Sequence, residues 1–324
     1  MAKHAQQASA SVRPRSQAGA RPSRLLPAIA ALLMFAGATI FLYPFAAQWI
    51  NQYKQAKIVD AYSKIGADAR PPEEQQLEEA KKYNSMLASG NLVDIAGHVP
   101  TIREQGKAPE TYGIKPYEQQ LAVDNTGLMA RIKVPSADVD LPVYHGTSDE
   151  TLLQGAGHLQ GTALPVGGAG TRTVITGHRG LASATMFTYL DRVKKGDEFT
   201  IEVFGQVLAY RVFDIKIVDP QDTATIKAVP GKDLATLITC TPLGINTQRI
   251  VITGERIIPT PASDKAGQTS DLPHFPWWLV TWLGIALLLG FFYWLLTRRP
   301  AVKHYAPGPV RQLKTLARVH RPAS

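Results

Sequence analysis

The chain has 324 residues, 45% of them apolar, and a formal net charge of +9. That length exceeds one small domain and falls short of three large ones, and the apolar share is enough for a full core. The charge excludes a nucleic-acid footprint by its placement. Five basic residues lie in 1–24 and seven in 297–324 with no acid in either, leaving 23 bases against all 26 acids between them.

A slightly acidic body with basic ends is the pattern of a membrane protein with cytoplasmic tails. Residues 1–24 read as the first such tail. Leu25 to Phe45 carries no charge, and residues 25–47 form the first apolar segment. It is either an uncleaved anchor or a signal peptide cut near Ala36-Gly37-Ala38 or Ala46-Ala47; the apolar run exceeds a typical signal core, which favours the anchor. Residues 48–126 form a helical segment followed by a loop. Pro71-Pro72 with Glu73, Glu74, Glu78 and Glu79 predicts a helix start, and Gly90-Asn91 a stop. That helix is either a stalk or brace for the following domain or a plain solvated helix. Residues 91–126, with Pro100, Pro109 and Pro116, read as irregular.

From Gly127 short β-rich runs alternate with turns: Leu128–Val134, Val139–Tyr144, Thr171–Thr176, Glu198–Phe204, Val207–Val218, Ala235–Cys240 and Arg249–Ile257. With helical patches only at Asp149–Gln154 and Ala184–Leu190, this spacing predicts a mainly β fold over 127–258, a closed or nearly closed barrel of about eight strands. Residues 259–276 read as a linker. Trp277 to Leu296 is twenty uncharged residues with Trp277, Trp278, Tyr293 and Trp294 near its ends and Arg298-Arg299 after it. At about 1.5 Å per residue it spans roughly 30 Å, one hydrocarbon core. Residues 297–324 form the second basic tail. The pattern predicts a two-pass protein of the cell membrane, both termini cytoplasmic and the body between the helices outside. His145, His158 and His178 are well separated, without a carboxylate motif, so neither a metal site nor a cofactor is expected.

Cys240 is the only cysteine. A lone thiol outside the cell cannot be half of an internal disulfide, so it is either a small core hydrophobe or a nucleophile. It ends a predicted strand, and Arg249, nine positions on, begins the next. His178 ends another β run, in Thr176-Gly177-His178-Arg179-Gly180. Thiol chemistry needs a thiolate and a proton carrier, and an arginine nearby can hold a carbonyl substrate or an oxyanion. A buried cysteine, a surface histidine and an ion-paired arginine are the alternative from residue types alone.

The segment Thr236-Leu237-Ile238-Thr239-Cys240 with Arg249 resembles the signature of sortases. Thr239 to Arg249 as a whole resembles the class C, pilin-polymerising branch, as do Leu141–Thr147, Gly157–Leu159, Leu164–Gly168 and Thr176–Ala184. The likeness covers roughly residues 50–258, and a second membrane helix fits that branch. It implies a sortase β-barrel and a cysteine transpeptidase of the peptidase-like hydrolase class, with Cys240, His178 and Arg249 as the catalytic residues. It further implies a thioester with an LPxTG-type sorting signal and transfer to a lysine of the next pilin subunit, pilin subunits being the partners. A housekeeping sortase that loads cell-wall precursor would use the same three residues, and a barrel without activity is the non-enzymatic rival. Thr239 and the backbone N–H of Thr241 are weaker oxyanion candidates. The Asp-Pro-aromatic lid of many class C sortases has no full counterpart: Asp94 stands near its place without a proline, and Pro116-Tyr117 supplies an aromatic without the acid. His145 and His158 are expected to fix loops by local hydrogen bonds, and Arg179 to be structural or substrate-facing.

Overall fold

The computed structural model describes residues 24–65, 72–88, 115–264, 268–270 and 273–298. In chain order the elements are α1 (Leu25–Ile65), α2 (Glu73–Ala88), β1 (Leu128–Val134), β2 (Val139–His145), α3 (Asp149–Gln154), β3 (Ala156–His158), β4 (Thr171–Thr176), β5 (Glu198–Val203), β6 (Gln206–Val218), β7 (Asp233–Thr241), β8 (Gln248–Arg256) and α4 (Trp277–Thr297). The eight strands close into a barrel in the order β1-β2-β3-β4-β7-β8-β6-β5. Closure leaves no free sheet edge. Pairs β2–β3 and β4–β7 are parallel and the other six antiparallel.

The barrel is filled by alternate residues of each strand, among them Ile132, Ile175, Phe199, Ile201, Tyr210, Leu237 and Ile252, all essentially inaccessible. The period of two that buries these side chains turns their neighbours outward. This parity decides which face of β7 and β8 carries chemistry.

The chain divides into a body, residues 39–282, and a unit formed of the two chain ends up to 38 and from 283 onward. In the latter the described residues belong to α1 and α4, apart from Arg24 and Arg298 at their ends. Both helices are long and apolar enough to cross a membrane, and neither apolar window is buried within the protein. The first apolar segment and the start of the helical segment after it form one element: α1 runs unbroken through Pro44 to Ile65.

Within the body, the far half of α1 is docked on the barrel by Tyr62. Its hydroxyl donates to Met129 O (3.0 Å) and accepts from Phe204 N (3.1 Å). Burial pushes the Tyr62 hydroxyl well above its ordinary range, so it stays a neutral donor. α2 begins where Pro71-Pro72 predicts and acts as a brace. Leu77, Ala80 and Tyr83 join the core. Asn84 closes a two-way amide clasp, donating to Leu164 O (3.0 Å) and accepting from Leu164 N (2.7 Å). The predicted stop at Gly90-Asn91 lies outside the described residues.

Two sequence expectations need correction. The barrel has a strand that the β-rich runs do not show: β3, three residues of Ala-Gly-His with little strand propensity, held by partners on both sides. Ala184–Leu190 is not a helix. It forms turns, with a bridge from Leu181 to Ala184 and a single 3-10 turn at Leu190–Arg192. Burial of Ala184, Met186, Phe187 and Leu190 against the barrel overrides the local helical pattern there.

Candidate active site at the ends of β4, β7 and β8

The parallel ladder between β4 and β7 runs from Thr171↔Asp233 to Thr176↔Ile238. One more bond extends it, Gly177 N donating to Ile238 O (3.2 Å), and Thr239 Oγ1 donates to Gly177 O (2.8 Å). Continued one step along both chains, this register would bring His178 level with Cys240, and Arg179 Nη1 lies 3.5 Å from Cys240 O. On the other flank the antiparallel ladder between β7 and β8 puts Cys240 directly opposite Arg249. Adjacent strands lie about 4.8 Å apart, so β4, β7 and β8 deliver their ends to one barrel rim.

Side-chain parity is the second requirement. Ala235, Leu237, Ile250 and Ile252 point into the core. Cys240 and Arg249 therefore belong to the outward row, with Thr236 and Thr253. Ile175 is also a core residue, so continuing the alternation of β4 puts His178 on the same outer side. Cys240, His178 and Arg249 are each half-buried, reachable from solvent but backed by protein. Further along the row, the Arg172 guanidinium bonds Thr236 Oγ1, Thr253 Oγ1 and Thr225 O of the β6–β7 loop.

Arg249 is not ion-paired among the described residues. Its Nη1 donates to Asn246 O and Gln248 O, both 3.0 Å, which holds the side chain at the rim. The loop that makes this possible turns tightly. Ile245 N and Asn246 N both donate to Pro242 O, and Asn246 takes φ 61, which asparagine tolerates better than most residues. The His178 ring has no hydrogen-bond partner among the described residues, which leaves both its nitrogens for a proton in transit.

The turn carrying His178 is fixed by features that the sequence reading missed. Gly177 lies against the Phe187 ring, and an added Cβ would sit 2.8 Å from it. Phe187 N donates to His178 O (3.0 Å). Gly180 has φ +77, a conformation that favours glycine, and the end of the Leu243 side chain lies over it. Arg179 points away from solvent and joins this turn to Thr241 and Asp191. Arg179, expected to be structural or substrate-facing, is bonded within the protein, while no local pattern marks Phe187 for its task.

The weaker candidates separate. The Thr239 hydroxyl proton is committed to Gly177 O, so this side chain clasps two strands and is not free to face an oxyanion. Thr241 Oγ1 accepts from Arg179 Nη1 (2.9 Å). Asp94 lies outside the described residues. Pro116 leads into a 3-10 turn, Tyr117–Gln119, and Tyr117 is buried against the rings of His145 and His158. Its hydroxyl bonds His158 Nδ1 (2.9 Å) and accepts from Gly146 N (3.0 Å). The two other histidines are structural, as expected. His145 bonds Gly127 O and Gln120 O, and His158 bonds Ala163 O. Burial pulls the His158 imidazole down to about 4, so it is neutral in place. No group of three or more metal-binding side chains gathers among the described residues.

This arrangement can do covalent acyl chemistry: a nucleophilic sulfur, a proton carrier with free nitrogens and a cation with unpaired donors share one face. Comparison with known proteins agrees. The sortase domain family matches residues 132–257. Among curated proteins the chain is 28% identical over 211 residues to sortase D of Bacillus subtilis, covering 64% of this chain and 92% of that protein. Sortase C1 of Streptococcus agalactiae superposes with a TM-score of 0.55 at 33% identity, over 63% of this chain and all of that one. The sortase C of Streptococcus pneumoniae, described for its catalysis and pilin substrate specificity, gives 0.52 at 35% identity, over 62% and 96% of the two chains.

Proposed function

Since the chain belongs to the sortase family, with class C sortases as its structural neighbours, we propose that it is a membrane-anchored transpeptidase that joins pilin subunits through Cys240, His178 and Arg249. The Cys240 thiolate attacks the carbonyl carbon of the threonine in the Thr–Gly bond of an LPxTG-type signal. Arg249, held at the rim by Asn246 O and Gln248 O, offers its free N–H groups to the carbonyl oxygen as negative charge gathers there. His178, as imidazolium, gives a proton to the glycine nitrogen as the C–N bond breaks. A thioester remains on Cys240. A lysine amine of the next subunit then attacks it, His178 takes the amine proton, the thiolate leaves, and an isopeptide bond results.

The observation that carries this reading is the pair of registers, Thr176↔Ile238 and Cys240↔Arg249, which bring three strand ends to one row. The two apolar helices and the basic tails support a two-pass anchor with the body outside and both termini in the cytoplasm. The test is to mix the purified chain with a sorting-signal peptide and a pilin carrying an acceptor lysine. Wild type should form a thioester and then a pilin-linked product, and Cys240→Ala should form neither. Cleavage that survives Cys240→Ala would remove the mechanism. Product joined to peptidoglycan precursor in place of lysine would assign the housekeeping role.

A further inference from the structure

Past Gly177 the β4–β7 ladder stops, yet the transpeptidase reading needs His178 held close to Cys240. Thr239 clasps the chain just before His178. One side chain clasps it just after. Arg179 has a side chain only 8% exposed, and every nitrogen of its fork is engaged. Nε donates to Thr188 O (3.1 Å), Nη1 to Thr241 Oγ1 (2.9 Å), and Nη2 to Asp191 Oδ2 (2.8 Å); Cys240 O lies 3.5 Å from Nη1. Arg179 directly follows His178, and Thr241 directly follows Cys240. A single guanidinium therefore spans the neighbours of both reacting groups and ties them to the 188–191 segment.

We infer that Arg179 is a positioning residue: it locks the turn bearing His178 to the strand end bearing Cys240 and so sets how the imidazole meets the thiol. The inference rests on the transpeptidase reading for its catalytic consequence. Its physical basis is geometric. A planar fork with donors in three directions fixes a rigid relation among three segments. A lysine ammonium in the same place keeps the charge but cannot hold all three. With Asp191 already neutralising much of that charge, Arg179 acts through placement and not as a second cation for substrate.

The test uses the full-length chain in detergent, a fluorogenic sorting-signal peptide, and iodoacetamide as a probe of Cys240, the chain's only thiol. Arg179→Lys should lower kcat about tenfold to a hundredfold, as small misplacements of reacting groups do, with KM unchanged within about twofold. The limbs of kcat/KM against pH should move by about half a unit or more, and so should the pH profile of Cys240 alkylation, which needs no substrate. Thr241→Val, a milder change, should reproduce part of the effect, and the double variant should fall short of additivity because the two share one bond. Normal kcat with an unchanged alkylation profile overturns the inference and leaves the transpeptidase intact. So does a loss fully explained by a smaller folded fraction, or a rise in KM alone. An inert wild type whose alkylation profile still shifts in Arg179→Lys sinks the transpeptidase reading and keeps the positioning role.

Discussion

The same residue types do opposite things on two sides of this barrel. On the β1–β2–β5 side, Arg131 is buried, holds Asp140 through two bonds (2.8 and 2.7 Å), and reaches Glu202, Ser63 and Gln268 O. Where β2 and β3 meet the Tyr117 turn, His145 and His158 have both ring nitrogens bonded. At the β4–β7–β8 rim, Arg249 has no carboxylate and His178 no ring partner among the described residues. Saturated groups hold a fold together, because a buried polar atom left unpaired is costly. Unsaturated groups at a half-exposed rim are the ones free to meet a substrate.

This contrast breaks most sharply at the rim. His178→Ala and Arg249→Ala should each lower kcat/KM on a sorting-signal peptide by about 10²- to 10⁴-fold while the melting temperature stays near wild type. The double variant should cost less than the product of the two. Full additivity, or a melting temperature that collapses with activity, would place these residues on the structural side of the divide.

The buried histidine offers a pH test. His158 takes up a proton only near pH 4 in the folded chain, because burial disfavours its charge, and near 6.5 when unfolded. Between those values the unfolded chain binds the proton and the folded chain does not. The contribution of neutral His158 is therefore whole above about pH 6.5 and drains as pH falls toward 4, by about 3 kcal/mol in all. Thermal unfolding of wild type against His158→Gln from pH 7 to pH 5 should show a shallower slope in the variant. Equal slopes would mean that this ring is not held neutral.

The smallest expected effect sharpens the boundary between the regions. Tyr117→Phe keeps the ring packing but deprives His158 and Gly146 N of their partner. It should cost about 1–3 kcal/mol by denaturant unfolding and leave kcat near wild type. A large fall in kcat without loss of stability would make Tyr117 part of the working face.

Strand identity was legible where β-branched runs meet turn residues: β1, β4 and α3 have the expected bounds, and β2, β5, β6, β7 and β8 differ by one or two residues at their ends. β3 was not, because Ala-Gly-His becomes a strand only when β2 and β4 flank it. The 184–190 stretch misled for the converse reason, its helical spacing being overruled by burial. At the site, residue types pointed to Cys240, His178 and Arg249, and the resemblance to sortases added their roles. Nothing local marked the Thr239 hydroxyl as already committed, or Arg179 as the tie across the gap.

By itself the amino-acid order determined which segments are apolar enough for a bilayer and which runs alternate as strands. These are properties of near neighbours, set by local sterics and hydropathy. Only the tertiary structure decided that β4 and β7, far apart in the chain, run side by side, so that Thr176 pairs with Ile238 and Arg179 reaches Thr241. A parallel pairing of two distant strands has no local cause: its register follows from which side chains the closed barrel can bury.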